Sequence, residues 1–438
     1  MSYLVGVLII LVGLLVSIGL HEIGHLVPAK KFGVRVPQYM IGFGPTLWSF
    51  RRGETEYGIK AIPLGGYVRL VGMYAPDDPR KTAKKGRLAE FIQSARDAST
   101  EEILPGEESR AFYNLSAPKK FIVMFAGPFM NLIIAFVVLS FLFVAFGTPQ
   151  LNTTLSTVAQ CVLPAQSAAD AQCDTTTPAA PAAEAGLEPG DTIVAWDGTD
   201  IESWQQLTEL IAASGGKTVT VEYERDGTVR ETMATPLTVE RPVFDENGVA
   251  VVAEDGTAVT HMIGHMGFSG SREFVPRPVT EVPGEIGKRL AATAQVIVSL
   301  PQRLVDVAQA AFGNEERDPN SVVGIVGIGR FAGEISSSEQ LRDAGFTVPT
   351  LLGLVAQLNI ALFAFNMIPL PPLDGGHIAS ALYEGSRRQI ARLRNKPRPG
   401  PVDTAKLLPL TYTMFFILLG MGVLLIYADI VNPIKLFS

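Results

Sequence analysis

Four apolar runs constrain the fold of this 438-residue chain more than any other feature of its sequence. They extend over Tyr3 to about Leu26, Phe121 to Phe146, Leu351 to about Leu373, and Leu407 to Tyr427. Each run is long enough to cross about 30 Å of hydrocarbon as a helix. We interpret the first as a retained helix, because no positive residue precedes it and no small-residue cleavage site follows it. The sequence therefore predicts four transmembrane helices.

The loops between the runs differ in charge, and this asymmetry predicts their orientation. Lys and Arg outnumber Asp and Glu by 16 to 10 from Val27 to Lys120 and by 7 to 2 from Tyr383 to Lys406, whereas acidic residues lead by 28 to 12 from Thr148 to Thr350. Because short basic loops stay in the cytoplasm, we expect the acidic connection and both termini outside. Cys161 and Cys173 would then lie on the oxidising side, where we expect a disulfide; two free thiols are the alternative.

The cytoplasmic end of the first run carries the motif His21-Glu22-Ile23-Gly24-His25. The two imidazoles lie one helical turn apart on the same face, so both can bind one Zn²⁺ while Glu22 stays off the metal and transfers a proton. Three ionisable groups at membrane depth are costly to bury without a functional partner. The motif therefore indicates a zinc site.

Two histidines leave a catalytic zinc site one protein ligand short. Asp374 lies at the cytoplasmic end of the third run, at a depth compatible with His21, and is the candidate for the third ligand. The alternative is an Asp-Gly turn that ends the helix at the water interface. We interpret His377 as an interfacial histidine, with a place next to the metal as the alternative.

Taken together, these motifs resemble the site-2 protease family of intramembrane zinc metalloproteases, in its bacterial group with an extracytoplasmic PDZ domain. The resemblance also rests on segments 42–45, 62–67, 125–131 and 366–375. It implies one Zn²⁺ per chain, held by His21, His25 and Asp374, with Glu22 as general base and later proton donor.

A β region and one asparagine are the candidates for substrate contact. In residues 37–70, Gly and Pro residues separate short apolar stretches, which predicts short strands and turns. Gly65 and Gly66 lie in a predicted turn over 63–66. The resemblance implies a membrane-associated sheet beside the active site, whose edge could pair with an extended substrate. It also assigns substrate contact to Asn366. Hydrogen bonding between helices is the alternative for Asn366 and the interpretation we favour for Asn131.

The acidic connection contains a second module. Residues 182–200 predict a short helix stopped by Gly186, a turn at 189–190, an alternating strand and a turn at 197–198; 204–214 fits a helix and 217–223 a strand. This pattern resembles a PDZ domain, and the resemblance implies peptide binding by Gly186, Leu187, Gly190 and Asp191. A size filter over the protease is the alternative.

Three weaker patterns lie outside these motifs. Residues 290–312 predict an amphipathic interfacial helix rather than a fifth span, and the charge-rich, aperiodic residues 77–110 predict a mobile insertion. Residues 238–268 suggest a hairpin across 246–248. We interpret His261 and His265 as strand surface rather than a second metal pair.

These features divide the chain into eight segments. They are residues 1–28 with the first transmembrane helix, 29–118 with the β region and the charged insertion, 119–147 with the second helix, 148–275 with the PDZ-type domain, 276–350 with the amphipathic connection, 351–382 with the third helix and the Asp ligand, 383–406 with the basic loop, and 407–438 with the fourth helix. The predicted fold is a polytopic α-helical membrane protein with a membrane-associated β-sheet and an extracytoplasmic α+β PDZ domain.

The resemblance implies an endopeptidase of the bacterial cytoplasmic membrane that cleaves single-span proteins, such as anti-sigma factors and signal-peptide remnants. One alternative is an inactive scaffold that binds membrane peptides through the PDZ domain; the complete set of His21, Glu22, His25 and Asp374 argues against it. A cation transporter lacks an obvious inverted repeat. Nucleic-acid binding is disfavoured because the formal net charge is -7.

Overall fold

A computed structural model of the chain describes residues 2–76, 86–162, 173, 177–242, 260–313, 317–318, 321–434 and 436. Within these ranges the helices are α1 (Ser2–Lys31), α2 (Arg87–Glu101), α3 (Ala117–Ala145), α4 (Pro181–Glu184), α5 (Trp204–Ala213), α6 (Val282–Phe312), α7 (Ile325–Ser337), α8 (Glu339–Asp343), α9 (Thr347–Asn366), α10 (Asp374–Leu393) and α11 (Leu408–Val431). The strands are β1 (Gln38–Arg52), β2 (Thr55–Arg69), β3 (Thr148–Val158), β4 (Thr192–Trp196), β5 (Thr199–Asp200), β6 (Val219–Arg225), β7 (Thr228–Ala234), β8 (Leu237–Pro242), β9 (Thr260–His265) and β10 (Phe268–Val275). The chain forms two compact units, one from residues 1–145 and 278–438 and the other from residues 146–277.

Four helices of the first unit are long and apolar enough to cross a membrane, as the sequence predicts. They are α1, α3, α9 and the stretch Thr404–Val431 that contains α11. The amphipathic helix α6 is not among them, in agreement with its interpretation as an interfacial helix. The third span differs from the prediction, because α9 ends at Asn366 and not near Leu373.

Glycines allow α1 to approach its neighbours closely. A Cβ atom on Gly6 would lie 2.1 Å from the Ala332 carbonyl oxygen of α7, and one on Gly24 would lie 2.4 Å from the Ala126 carbonyl oxygen of α3. Such contacts are possible only without a side chain, and small residues at helix interfaces let transmembrane backbones pack closely. The packing of α1 onto α3 determines where the histidine motif lies.

The predicted β region is a two-stranded antiparallel sheet in which β2 folds back over β1. Residues 38–41 of β1 pair with 56–59 on one side and with 66–69 on the other, so 66–69 forms an outer edge. The predicted turn over 63–66 is wrong, because these residues lie inside β2. The strand bends there instead, and Gly65, with φ of 141°, adopts a conformation that favours glycine.

Residues 86–110, the described part of the predicted insertion, form more regular structure than the sequence predicts. Residues 77–85 of this predicted insertion lie outside the described ranges, but 87–101 form α2. The Arg96 guanidinium donates to the Asp403 carboxylate at 2.5 Å, and the Phe91 ring packs on Tyr412 with centroids 5.3 Å apart. These partners lie more than 300 residues away in sequence, so the local pattern does not reveal them.

The second unit is an α+β domain, as predicted, and it agrees with the predicted element pattern over residues 182–223. Its main sheet has the order β10-β3-β4-β6-β7, β5 pairs with β4, and β8 pairs with β9 in a separate hairpin. Its core contains Trp196, Leu207 and Val221. The turn proposed at 246–248 lies outside the described residues, although β8 and β9 do pair on either side of it. Cys161 and Cys173 form the expected disulfide.

Candidate metal centre and substrate cleft

Three side-chain donors from distant parts of the first unit meet at one point. Nε2 of His21 lies 3.2 Å from Nε2 of His25 and 3.2 Å from Oδ2 of Asp374, and Nε2 of His25 lies 3.4 Å from the same oxygen. Within the described ranges, no other group of three His, Cys, Asp or Glu residues brings its donor atoms this close together. The structure thus brings together the three residues that the sequence selects.

The spacing of these donors fits a zinc ion. Two ligands that each lie about 2.05 Å from a tetrahedral metal are about 3.3 Å apart. The observed separations of 3.2 to 3.4 Å match that value. Two imidazoles and one carboxylate are also a known catalytic zinc set, which leaves the fourth position for water or substrate.

The imidazole of His25 is fixed by α3. Its Nδ1–H donates to the Val123 carbonyl oxygen at 2.7 Å, which leaves Nε2 free to face the metal position. Gly127 makes room for the ring, because a Cβ atom there would lie 2.1 Å from Nε2 of His25. The segment over 125–131 therefore packs directly against the part of α1 that carries His25.

The imidazole of His21 also contacts α3, through the side chain of Asn131. The Asn131 amide lies 3.2 Å from Nδ1 of His21, and its own oxygen has no partner in the described structure. A metal on Nε2 leaves the proton on Nδ1, so the group that fits opposite Nδ1 is the amide oxygen. The sequence suggests only a contact between helices for Asn131, and the structure shows that this contact is to a metal-ligand candidate.

Asp374 is not at the end of the third span, where the sequence places it. It is the first residue of α10, after a break over 367–373 that contains three prolines. Gly375 and Gly376 pack α10 tightly on this break, because Cβ atoms there would lie 2.1 Å from the Ile368 oxygen and 2.6 Å from the Pro371 nitrogen. The break and the two glycines turn the carboxylate towards the histidine pair.

Glu22 lies on the same turn of α1 but outside the group of three donors. Val68 of β2 lines the same cavity as its carboxylate. A Cβ atom on Gly66 would lie 3.0 Å from Cγ of Glu22, so the glycine lets the strand approach the acid. Glu22 thus lies next to β2 and apart from the three donors, which is the position that a proton acceptor requires.

One cavity of about 400 Å³ joins these groups, within the usual size range of ligand sites. Its lining includes the donors, Glu22 and the three candidates for substrate contact, Gly65, Gly66 and Asn366. His377 also lines it, which favours a place next to the metal over an interfacial position. The outer edge of β2 at 66–69 therefore faces the candidate catalytic groups.

Tyr39 fixes β1 to α1 and was not predicted. Its hydroxyl donates to the Gly19 carbonyl oxygen at 2.8 Å. Burial, together with the nearby Glu22 carboxylate, raises the pKa of Tyr39 to about 12, so the hydroxyl remains a donor. A tyrosine within a strand has no distinctive spacing, so the sequence carries no signal for this role.

The candidate peptide-binding residues of the second unit are occupied by internal contacts. Leu187 is in the core, and Asp191 accepts hydrogen bonds from Arg225 at 2.6 and 2.7 Å. Backbone N–H groups of Gly186, Leu187, Gly190 and Asp191 donate to the carbonyl oxygens of Ala183, Ala182, Leu155 and Glu188. The four residues therefore offer no free backbone donor, and their peptide-binding role stays a prediction.

The Arg225 contact also alters the acidity of Asp191. Burial alone would raise the pKa of this carboxyl. The hydrogen bonds from Arg225 and from the Glu188 backbone outweigh burial, and hold the pKa of Asp191 below its ordinary value. Asp191 thus remains charged, and its ion pair with Arg225 stabilises the second unit.

Comparison with known proteins places these observations in a family. The family model of Peptidase family M50 matches residues 9–399 of this chain. The zinc metalloprotease Rip1 of Mycobacterium tuberculosis is 33% identical over 451 residues, covering 100% of both chains, and Rip1 of Mycolicibacterium smegmatis is 33% identical over 458 residues with the same coverage. The metalloprotease MmpA of Caulobacter vibrioides is 28% identical over 401 residues, which cover 89% of this chain and 90% of MmpA.

Proposed function

The chain belongs to peptidase family M50 and is a membrane zinc metalloprotease, and from that premise we propose that it cleaves the transmembrane segments of single-span proteins. The observation that carries this proposal is the position of the candidate site. His21, Glu22 and His25 lie within α1, a candidate membrane span, and share one cavity with Asp374. A protease site at that depth acts on peptide bonds inside the bilayer.

The chemistry follows from the roles of the side chains. Zinc, when held by His21, His25 and Asp374, supplies Lewis acidity that activates water and polarises the scissile carbonyl. Glu22 accepts the proton of the attacking water and delivers it to the leaving amine. The imidazole of His25 is oriented by Val123, and that of His21 by Asn131, so neither ring has to reorganise during the reaction.

The strand edge beside Glu22 could help to unwind the substrate helix before cleavage. A transmembrane substrate hides its carbonyl groups in helical hydrogen bonds and has to be unwound before cleavage. An extended substrate segment paired with residues 66–69 would exchange those bonds for bonds to the strand. Asn366, which lines the same cavity, would compete for further backbone hydrogen bonds.

Membrane-bound anti-sigma factors and signal-peptide remnants are the substrate class that we propose, after another protease has removed the exported domain. We further propose that the protein resides in the bacterial cytoplasmic membrane, with both termini and the second unit outside. The charge asymmetry of the loops supports this topology. In it, the second unit is a PDZ-type domain that admits shortened substrates or binds their ends.

A reconstituted assay tests the proposal. The full chain is placed in liposomes with a single-span protein that carries a different epitope on each side, and the fragments are sequenced by mass spectrometry. We expect cuts within the span, loss of cleavage in Glu22→Gln with zinc retained, and loss of zinc in His21→Ala. His261→Ala, on exposed strand β9, is the matched control and should keep both zinc and cleavage.

The contradicting results are equally specific. Cuts confined to the soluble flanks of the test protein would exclude an intramembrane protease. Unchanged cleavage by Glu22→Gln would exclude the assigned proton acceptor. Peptide binding without any cleavage would instead favour the scaffold alternative.

A further inference from the structure

A strongly basic surface lies on the C-terminal half of α10. Because the helix Thr404–Val431 is a candidate membrane span, the part of the connection that directly precedes it, residues 385–403, lies at a face of the bilayer. Residues 385–402 within it contain six Lys or Arg and no Asp or Glu. This density of positive charge is typical of segments that contact anionic lipid.

The positive side chains surround a cavity. Arg388, Arg392, Lys396 and Arg398 line it together with Gln389, and its volume is about 620 Å³. No acidic side chain from the described residues lines it. The cavity is therefore suited to an anion of the size of a phosphate headgroup, which guanidinium groups bind in a bidentate manner.

A carboxylate outside the cavity, that of Glu384, pairs with one of the lining arginines but is already shared with other groups. Glu384 forms an ion pair with Arg388 at 2.7 Å, but it also accepts hydrogen bonds from Lys120 at 2.8 Å and from the Val402 backbone at 3.1 Å. Nε of Arg388 is buried and has no hydrogen-bond partner in the described structure. An anionic ligand would balance the remaining positive charge and supply the missing acceptor.

An apolar stripe runs beside the cavity along α10. Leu382, Ile390 and Leu393 are exposed to 56%, 49% and 77%, and their spacing places them on one face of the helix. On the helix surface, Arg387 and Arg394 lie on one side of this stripe. The arginines that line the cavity lie on its other side. Apolar residues flanked by arginines are the pattern of a helix that lies in the headgroup region.

We propose that α10 binds an anionic phospholipid, with the phosphate headgroup in the basic cavity and the acyl chains against Leu382, Ile390 and Leu393. A free phosphate ion would use the cavity but leave the apolar stripe in water, and an acidic protein segment would do the same. A phospholipid satisfies both features at once. The proposal requires that the connection lie at the membrane, and does not depend on proteolysis.

Native mass spectrometry of the full chain in detergent tests the site. The protein is mixed with phosphatidylglycerol or phosphatidylcholine of identical acyl chains, and the bound lipid is counted. We expect preferential retention of phosphatidylglycerol. In the triple variant Arg392→Gln, Lys396→Gln, Arg398→Gln its apparent affinity should fall on the order of 100-fold, from about fivefold per charge.

A matched control removes the same charge elsewhere. Lys217→Gln, Arg230→Gln, Arg272→Gln alters three exposed basic residues of the second unit and should retain the lipid as the unmodified chain does. A further variant, Leu382→Ser with Leu393→Ser, keeps every charge and should also weaken lipid retention. Zinc content at the wild-type level checks that each variant is folded.

Three results would overturn the proposal. The first is equal retention of the two lipids, and the second is unchanged preference in the triple variant of α10. The third is displacement of phosphatidylglycerol by millimolar inorganic phosphate or by polyglutamate, with no effect of the two serine substitutions. That third result would assign the cavity to a free anion or an acidic protein instead of a lipid.

Discussion

The Asn131 amide lies 3.2 Å from Nδ1 of His21, the ring nitrogen opposite the one that approaches Asp374. A partner of this kind fixes the tautomer and the orientation of a metal-binding imidazole. Asn131 comes from α3, whereas His21 comes from α1, so the contact also ties the two helices together at the site. The metal centre is thus supported by a helix that contributes no ligand.

Substituting Asn131→Ala should weaken zinc binding by about 10- to 100-fold, because the His21 ring loses the group that orients it. Competition with a zinc chelator measures this affinity on the purified full chain. Asn359→Ala is the matched control, since Asn359 is a buried asparagine of α9 that donates to Ser17 and not to a ligand. Equal zinc affinity in the two variants would contradict the positioning role of Asn131.

The candidate metal ligands could be predicted from the sequence because their chemistry is local. His21 and His25 share a helix face at a fixed spacing, and Asp374 lies beside an apolar run of matching depth. The four spans and the elements of the second unit were predicted for the same reason, since hydropathy and turn residues act over short distances. These features need no knowledge of the tertiary fold.

The errors arose where an apolar segment is not a helix or where the partners are distant. The break over 367–373 is rich in Leu and Pro, so hydropathy alone extends the third span through it to Leu373. The pairing of β1 with both ends of β2, and the contact of Arg96 with Asp403, depend on tertiary packing. Neither leaves a periodic signal in the sequence.

Gly127 should not tolerate a methyl group. In Gly127→Ala the new Cβ atom would overlap the His25 imidazole, so the ring or the helix has to move, at a cost of about 1 to 3 kcal/mol in the free energy of unfolding. We expect a lower melting temperature and reduced zinc content. Gly420→Ala in α11, where a Cβ atom meets no heavy atom within 4 Å, should change neither; a similar loss there would show that any substitution in a span is harmful.

Gly66 should be needed for substrate rather than for zinc. In Gly66→Val the branched side chain would press on Glu22 and Ile18 and obstruct the strand edge, so cleavage should fall on the order of 100-fold while zinc content stays unchanged. Cleavage rate and zinc content are measured on the same preparation. Gly353→Val in α9, at a position with no neighbouring heavy atom within 4 Å, serves as the control. Normal cleavage by Gly66→Val would show that the strand edge is not needed for substrate binding.

The second unit should lose stability in acid through Asp191. Its pKa is held below the ordinary value, so its contribution to stability is present above about pH 4 and is lost as the pH falls through the lowered pKa. Hydrogen exchange of β4 and β6 in the full chain, compared between pH 7 and pH 3, should show this loss. Asp191→Asn should exchange faster already at pH 7 and depend less on pH.

Asp200→Asn, an exposed carboxylate on β5, is the control for that experiment and should behave as the unmodified chain does. An acid response in Asp191→Asn as large as in the unmodified chain would assign the response to other groups. The Arg225 pair would then be a minor contributor to the stability of the second unit.

The convergence of His21, His25 and Asp374 on one zinc ion is tested most directly by X-ray absorption at the zinc edge in Asp374→Cys. Cys161 and Cys173 are joined in a disulfide, so a new thiolate would be the sulfur available to the metal. We predict a sulfur scatterer at about 2.3 Å from zinc, and none in the control Asp403→Cys. A zinc environment of nitrogen and oxygen alone in Asp374→Cys, in a chain that still binds zinc, would contradict the account.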